Sequence, residues 1–462
     1  MLFNSLIFLY AFLPITYVVF WRLHSQRQRY VWLTITGYVF YSFWNYKFCA
    51  LLAFSTLVSY LAGLGLLRWT DPGRRRLCLV LSVVSDLAVL AFFKYADFGL
   101  STFAEAARLA GFDVHVAPLN ILLPIGISFY TFHSISYIVD AYRGTITPTK
   151  NFWEYATYVS LFSQLVAGPI VRFRQIEDDL ENIDKADRRK FLDRGWSFFA
   201  IGMVEKVLIA DTIAAIINPA LARYDQLSTI DAWLCMLGYS YQLYFDFAGY
   251  SDMAVGLGYL FGIRIPQNFS SPYKSKNIAE FWRRWHMSLS SWLRDYLFQP
   301  LGGFFGTKWQ RARNLAVTMC LGGLWHGAAW TFVIWGLYHG LLMAAYGTIG
   351  GGWDRLPSLV RKGGTFFLVL LGWVVFRAQT LGMAGTMLKK MFTFEPGFTM
   401  TAGVGLVVML MLAAWLSHVG PNSFELKHEW GTGATVTLMG LFLVSMVAMY
   451  GAQPSPFLYF QF

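Results

Sequence analysis

The sequence predicts an all-α polytopic membrane protein. Of its 462 residues, 56% are hydrophobic and only 14% are charged, whereas soluble domains carry about 25% charged residues. Apolar runs recur along the whole chain, and a membrane span needs roughly 20 such residues to cross about 30 Å of hydrocarbon. These runs are continuous, while a transmembrane β-barrel shows alternating segments of about 10 residues. We therefore expect many helices in a single membrane-embedded domain covering residues 1–462.

Short polar connections separate the apolar segments. The segments lie near residues 3–21, 31–45, 48–67, 77–95, 119–139, 153–168, 195–218, 232–262, 314–348, 364–376, 402–417 and 434–450. The run at 314–348 is long enough for two elements. The first segment lacks the basic start and the cleavage site of a signal peptide, so it is predicted to be a retained span. Stretch 378–400, with Lys389 and Lys390, fits an interfacial helix or an ordinary loop helix equally well.

The positions of the basic residues predict the topology. Arg22, Arg27 and Arg29 follow the first span, which places that loop in the cytoplasm and the N-terminus in the periplasm. Basic residues flank segment 153–168 on both sides, so this short segment is predicted to be re-entrant, entering and leaving at the cytoplasmic face. Irregular backbone at membrane depth requires surrounding protein or a wet cavity. The re-entrant segment is thus a first indication of a functional interior.

The net charge of +11 does not indicate a nucleic-acid partner. The basic residues lie in short groups between apolar runs rather than in one patch, which is typical of a membrane protein and of contact with lipid. The cysteines Cys49, Cys78, Cys235 and Cys320 show no metal-ligand spacing and are interpreted as small buried residues. No metal site is predicted.

The chain has eight histidines, and their positions separate them. His24, His115, His418 and His428 lie in loops or near segment ends, while His133 and His339 lie inside apolar runs, where a hydrogen-bonded core histidine is favoured. His326 lies deep in the run LGGLWHGAAW. Ionisable groups inside the bilayer usually face a cavity or a partner, and a neutral imidazole there can accept a proton from a hydroxyl. Residue chemistry alone leaves a structural and a catalytic role open for His326.

A second polar centre lies at residues 280–303. His286 follows Arg283 and Arg284 among tryptophans, a mixture typical of the cytoplasmic interface. One interpretation is an interfacial anchor helix. The other is that Arg283 and Arg284, with Lys274 and Lys276, attract an anionic ligand that carries phosphate.

A third centre is the pair of carboxylates inside segment 232–262. Asp246 and Asp252 lie in an apolar run, and buried carboxylates must be paired or protonated. Structural pairing with Arg or His is the favoured interpretation for both.

Several long motifs closely resemble the membrane-bound O-acyltransferase family. They are YFDFAGYSDMAVGLGYLFGI, NFSSPYKSKNIAEFWRRWHMSLSSWLRDYLFQPLGG and LGGLWHGAAWTFVIWGLYHG. Within the family they look most like the branch that acetylates bacterial exopolysaccharides such as alginate and cellulose. LPIGISFYTFHSISYIVDAYRG, FSQLVAGPIVRF, VVFRA and the closing PFLYFQF are similar to that branch too, so the resemblance covers nearly the whole chain.

The resemblance implies a fold and a site. The fold would be a bundle of about eleven spans with re-entrant segments around a central tunnel, where irregular backbone is shielded from lipid. The near-invariant histidine of the family maps onto His326, and its second motif histidine maps onto His286. Asp246, Asp252, Trp285 and Trp325 are expected to line the tunnel.

The resemblance also implies an activity. The enzyme would take an acetyl group from a cytoplasmic donor, acetyl-CoA, and move it to the outer face of the bacterial inner membrane, without a bound cofactor. His326 would act as the base, and His286 would orient the donor or support the transition state. The phosphates of the donor would contact Lys274, Lys276, Arg283 and Arg284. The expected partners are a periplasmic acetyltransferase and the exopolysaccharide synthesis and export complex.

Two departures and two alternatives accompany this hypothesis. Lys276 stands where a small polar residue is expected, which puts local ligand contacts in doubt, and the somewhat short chain slightly favours cellulose or another polymer over alginate. A transporter or export scaffold without chemistry is the main competitor. Acylation of a lipid or a protein, including D-alanyl transfer, would share the fold.

Overall fold

The computed structural model describes residues 1–114, 116–398, 403–451 and 458. His115, the end of stretch 378–400 and the closing motif apart from Leu458 lie outside these described residues. Within them the structure contains helices and no β-strand. The first ten α-helices are α1 (Leu13–Arg22), α2 (Gln26–Asn45), α3 (Cys49–Arg68), α4 (Pro72–Leu90), α5 (Ala96–Leu109), α6 (Ile127–Arg143), α7 (Phe152–Ser160), α8 (Phe162–Leu165), α9 (Phe173–Glu181) and α10 (Arg188–Met203).

The remaining ten α-helices begin at Asp211. They are α11 (Asp211–Leu221), α12 (Thr229–Leu260), α13 (Ile278–Arg284), α14 (Met287–Leu293), α15 (Lys308–His326), α16 (Trp330–Trp353), α17 (Ser358–Arg377), α18 (Leu381–Phe392), α19 (Gly403–His418) and α20 (Thr432–Gly451). Run 314–348 is divided between α15 and α16, as its length predicts.

The predicted all-α membrane architecture is confirmed. Among the described residues, five helical stretches are long and apolar enough to cross a membrane: Gln26–Arg68, Pro72–Leu109, Trp330–Trp353, Ser358–Arg377 and Thr432–Tyr450. A helix that exposes apolar side chains along its length is stable in lipid rather than in water. The protein is therefore a multi-pass membrane protein, while the number of spans stays a prediction.

The chain folds into two compact units. The first contains residues 1–195 and 257–266, and the second contains residues 196–256 and 267–462. The single membrane domain stays a prediction, since two compact units can serve one function. Each unit has its own buried aromatic side chains.

The first unit contains a buried carboxylate that the sequence analysis did not single out. Asp86 of α4 is 2% exposed. The Ser55 hydroxyl of α3 donates to it at 2.6 Å, and the Ser59 hydroxyl does so at 3.3 Å. Interhelical hydrogen bonds of this kind hold transmembrane helices together.

The predicted re-entrant segment is a broken, buried helix of the first unit. Helix α7 ends at Ser160, and a bend at Leu161 separates it from the single turn of α8. Nine residues of α-helix rise only about 14 Å, which is too short to cross a bilayer. A Cβ added at Gly168 would lie 2.4 Å from the Ser163 carbonyl oxygen, so the chain after α8 turns back closely. These features fit a re-entrant element, and the side on which its flanks lie stays a prediction.

In the second unit, glycines bring α15 and α16 into close contact. A Cβ at Gly323 would lie 2.1 Å from the Phe332 carbonyl oxygen, and one at Gly336 would lie 2.1 Å from the Met319 carbonyl oxygen. Only glycine permits such an approach of two helix backbones. The close pair fixes where α15 ends, and its last residue is His326.

Stretch 378–400 contains the helix α18. Its Ala384, Met387 and Met391 are buried, and Lys390 pairs with Glu395 just beyond the helix. The helical spacing is thereby confirmed. Its location at the membrane surface stays a prediction.

Candidate functional site

The second unit brings His286 and His326 together. Their ring centroids lie 6.3 Å apart, and the rings are inclined by 60°. His326 ends α15, while His286 precedes α14 with a left-handed backbone (φ +44°). A non-glycine residue in that conformation carries strain that the surroundings must hold. The side chains are 4% and 0% exposed, so the imidazole of His286 is not an interfacial anchor.

Aromatic rings enclose the two histidines. The Trp325 ring lies 5.1 Å from His326 and 5.8 Å from His286, centroid to centroid. Trp335 and Phe376 contact His326 at 5.2 and 5.4 Å, and Phe247 contacts His286 at 4.6 Å. Burial lowers the pKa of His286, between α13 and α14, to about 3, so this imidazole is neutral at physiological pH. A neutral imidazole has one unprotonated nitrogen, which can accept a hydrogen bond or a proton.

A buried amide holds His286 from one side. Asn268 is 1% exposed, and its Oδ1 lies 3.2 Å from His286 Nδ1. The same oxygen accepts the backbone N–H of Ser288 at 3.2 Å and the Ser288 hydroxyl at 2.9 Å. This network fixes the ring orientation of His286.

Trp285 and His339 each contact several aromatic rings. Trp285 contacts Phe269 at 5.0 Å and Trp373 at 4.9 Å. The His339 ring contacts Trp335 at 5.1 Å and Trp282 at 5.2 Å. His339 is buried as predicted, but its predicted hydrogen bond is wrong: no described residue bonds to its ring nitrogens, because aromatic rings surround it.

The two carboxylates of α12 have different environments. Asp246 forms a buried ion pair with Lys206 at 2.5 Å and accepts the backbone N–H of Leu458 at 2.9 Å. The favoured interpretation of structural pairing holds for Asp246, but the partner is a lysine rather than Arg or His. Asp252 is 8% exposed, accepts a hydrogen bond from Ser423 and faces the carboxyl group of Glu205. Asp252 is thus also not paired with Arg or His in the described structure.

The proposed phosphate-binding residues differ in what they contact. Lys274 donates to the Gly420 carbonyl oxygen at 2.6 Å, and Arg284 pairs with Glu280 at 2.8 Å. Lys276 is half-buried, whereas Arg283 is exposed. Of the four, Arg283 is therefore the most accessible to a ligand in solution.

Several buried side chains of the second unit were not singled out from the sequence. Lys206 could have been found, because a lysine inside apolar segment 195–218 is an intramembrane charge. Asn268 gives no such signal, since only the fold brings it next to His286. Trp335 and Phe376 look like ordinary core aromatics in the sequence.

Comparison with known proteins shows which family the chain resembles. Residues 146–354, which contain both histidines, match MBOAT, the membrane-bound O-acyltransferase family. A probable alginate O-acetylase of Pseudomonas putida is 40% identical over 100% of both chains. A peptidoglycan O-acetyltransferase of Helicobacter pylori is 36% identical over 85% of this chain and 80% of its own. A teichoic acid D-alanyltransferase of Bacillus subtilis is 36% identical over 57% of this chain and 71% of its own.

Proposed function

Because this chain belongs to the membrane-bound O-acyltransferase family, and is therefore a multi-pass membrane O-acyltransferase, we propose that it transfers acetyl groups for the O-acetylation of an exopolysaccharide. The donor is acetyl-CoA in the cytoplasm, and the polymer is alginate or a similar polysaccharide. The observation that carries the proposal is the buried pair of His286 and His326, 6.3 Å apart inside aromatic walls. Transport or scaffolding without chemistry does not account for membership of an acyltransferase family.

The choice of polymer draws on the relatives. A probable alginate O-acetylase is similar to this chain over the full length of both, so chain length gives no reason to prefer cellulose. The D-alanyltransferase covers 57% of this chain, which supports acetyl transfer over D-alanyl transfer. Alginate is thus the first polymer to test.

The reaction needs a base and stabilisation of the developing oxyanion. His326 removes the proton of the acceptor hydroxyl as that oxygen attacks the thioester carbonyl carbon. The resulting tetrahedral intermediate expels the thiolate of the donor, which takes up the proton, and an acetyl ester remains on the acceptor. His286 orients the donor beside His326. The aromatic walls limit access of water, which would otherwise hydrolyse the thioester.

A tunnel solves the problem of crossing the membrane. Neither CoA nor a polysaccharide crosses hydrocarbon, but an acetyl thioester on a narrow arm can reach the buried histidines from the cytoplasmic side. Such an arm would pass Trp285 and Trp325, which lie among the aromatic rings around the two histidines. The basic residues at 274–284, above all the exposed Arg283, contact the phosphates of the donor.

The acceptor lies on the opposite side. It is a hydroxyl of a periplasmic acetyltransferase or of the sugar itself, and the enzyme works with the synthesis and export complex of the polymer. This arrangement corresponds to a location in the bacterial inner membrane with a periplasmic N-terminus, as the arginines after the first span indicate.

The acetyl content of the host's exopolysaccharide tests the proposal. Deleting the gene should remove most O-acetyl groups from the polymer, and expression of the wild-type chain should restore them. The proposal fails if the polymer of the deletion strain keeps its acetyl groups. Loss of D-alanine esters from the envelope instead would identify a D-alanyltransferase.

The donor site has a separate test with the purified protein. Arg283→Glu should weaken binding of radiolabelled acetyl-CoA about tenfold or more, because one attractive charge becomes repulsive near the phosphates. Arg223→Glu is the control, since Arg223 is also exposed but follows α11. If the basic loop after α9 is cytoplasmic, the loop after α11 is predicted to lie on the periplasmic side. Equal affinity of the two variants would reject the phosphate contact at Arg283.

A further inference from the structure

The amide of Asn268 is buried beside His286, and its orientation can be determined from its neighbours. A backbone N–H can only donate a hydrogen bond. The backbone N–H of Ser288 points at one end of the Asn268 amide at 3.2 Å, so that end must be the oxygen. The other end, Nδ2, donates to the Ser251 hydroxyl at 3.1 Å. The Ser288 contact excludes the flipped amide, and the Ser251 hydroxyl, which can accept as well as donate, is compatible with this orientation.

The amide orientation in turn determines the proton position on His286. His286 Nδ1 lies 3.2 Å from the Asn268 oxygen, and an oxygen that only accepts needs a donor opposite it. Nδ1 therefore carries the ring proton. In a neutral imidazole the second nitrogen then has a lone pair and no proton, so Nε2 of His286 is an acceptor.

The backbone around the ring supports the same arrangement. The Met287 backbone N–H donates to the Asn268 carbonyl oxygen at 2.8 Å, so main chain and side chain of Asn268 both bind the segment that carries His286. This double attachment holds the left-handed conformation of His286 (φ +44°). Ring rotation would break the Nδ1 contact.

We propose that Asn268 is a positioning residue that holds His286 in the Nδ1–H tautomer, so that Nε2 of His286 accepts a hydrogen bond or a proton during acyl transfer. The proposal rests on the proposed function and makes it more specific. An imidazole in this tautomer cannot donate from Nε2, so His286 does not stabilise the oxyanion through that atom. Nε2 of His286 instead accepts a hydrogen bond or a proton from a group of the donor, of the acceptor or of His326.

Nitrogen NMR of the purified protein with ¹⁵N-labelled histidine determines the tautomer of His286 directly. This measurement does not depend on acetyltransferase activity. The His286 signals are identified by their absence in His286→Gln. In the wild type, Nδ1 should be protonated and Nε2 should not. The opposite tautomer would overturn the proposal. Acetylation that survives gene deletion would instead overturn the proposed function and leave the tautomer result standing.

Three variants connect the tautomer to activity, each compared at equal membrane abundance by polymer acetyl content. Asn268→Leu should mix the tautomers and lower acetylation about 10–100-fold, by analogy with the loss of a hydrogen-bond partner that orients a metal-ligating histidine. Asn268→Asp should keep both tautomer and most activity, since a carboxylate oxygen accepts the same hydrogen bonds. Asn314→Leu is the matched control at another buried asparagine, which bonds the Gly303 carbonyl oxygen.

Each result with these variants either supports or overturns the proposal. Full acetylation by Asn268→Leu, or equal losses in Asn268→Asp and Asn268→Leu, would overturn the proposal. Rescue by Asn268→Asp, with an unchanged tautomer in Asn314→Leu, supports it. If Asn268→Leu does not reach the membrane, Asn268→Asp and the wild-type tautomer decide the matter.

Discussion

Lys206 is a buried cation held by two aspartates. Its ammonium lies 2.5 Å from Asp246 and 2.6 Å from Asp211, and its side chain is 1% exposed. The Asp246 side chain is 2% exposed. Removing one partner of a buried ion pair leaves the other charge without compensation, which costs much more than the pair contributes while intact.

Lys206→Met should therefore lower the free energy of unfolding by about 3–5 kcal/mol. Lys390→Met is the control, because its partner Glu395 is 42% exposed and such pairs contribute about 0–1 kcal/mol. Equilibrium unfolding in mixed micelles measures both. Equal losses in the two variants would show that the Lys206 pair is not buried in lipid-embedded protein.

Single residues show where sequence reasoning succeeds and where it ends. His326 could be singled out because an imidazole in a glycine-flanked apolar run is unusual. His339 lies in a similar run, and only the fold shows that it packs against aromatic rings and against Gly372 without a hydrogen bond from the described residues. Asn268 could not be identified, because its role depends on a contact with a residue 18 positions away in the chain.

At the scale of elements, the contact between α15 and α16 positions His326. Gly336 of α16 lies against the Met319 carbonyl of α15, whereas Gly347 of the same helix has no neighbouring atom within 4 Å of an added Cβ. Alanine substitutions at the two glycines therefore distinguish the effect of helix packing on stability from the effect of helix propensity.

Gly336→Ala should lower the free energy of unfolding by about 1–3 kcal/mol, since the added methyl group forces the helices apart. Gly347→Ala should be neutral or slightly stabilising, because alanine favours the helix over glycine. Thermal unfolding in detergent compares the two. A loss of stability in Gly347→Ala as large as in Gly336→Ala would contradict the close helix contact.

Most elements followed from hydropathy, and the exceptions have physical reasons. Helix α5 was not predicted, because Asp97, Glu105 and Arg108 interrupt its apolar positions. Helix α6 begins at Ile127, eight residues into its apolar run, because Gly126 adopts a left-handed conformation (φ +79°) just before it. The re-entrant character of segment 153–168 was predicted from flanking charges, whereas the break between α7 and α8 inside it was not predicted.

At the scale of the whole molecule, the topology follows from the distribution of charge. The loops before α7 and after α9 both carry basic residues, which predicts that both lie in the cytoplasm. The loop after α11, residues 222–228, is then predicted to lie on the opposite side.

In a variant lacking the four native cysteines, single cysteines introduced within residues 144–150 and 182–187 should both be protected from a membrane-impermeant thiol reagent in intact cells. A single cysteine introduced within 222–228 should be labelled. Labelling of only one of the first two sites would mean that segment 153–168 crosses the membrane.

The central claim is that His326 is the catalytic base of an O-acetyltransferase. The most direct measurement is the O-acetyl content of exopolysaccharide from cells that carry His326→Ala at wild-type membrane abundance. His24→Ala, at an exposed histidine, is the control. We expect His326→Ala to lower the acetylation rate about 10²–10⁴-fold, the usual cost of losing a general base, while His24→Ala acetylates normally. Full acetylation by His326→Ala would contradict the account.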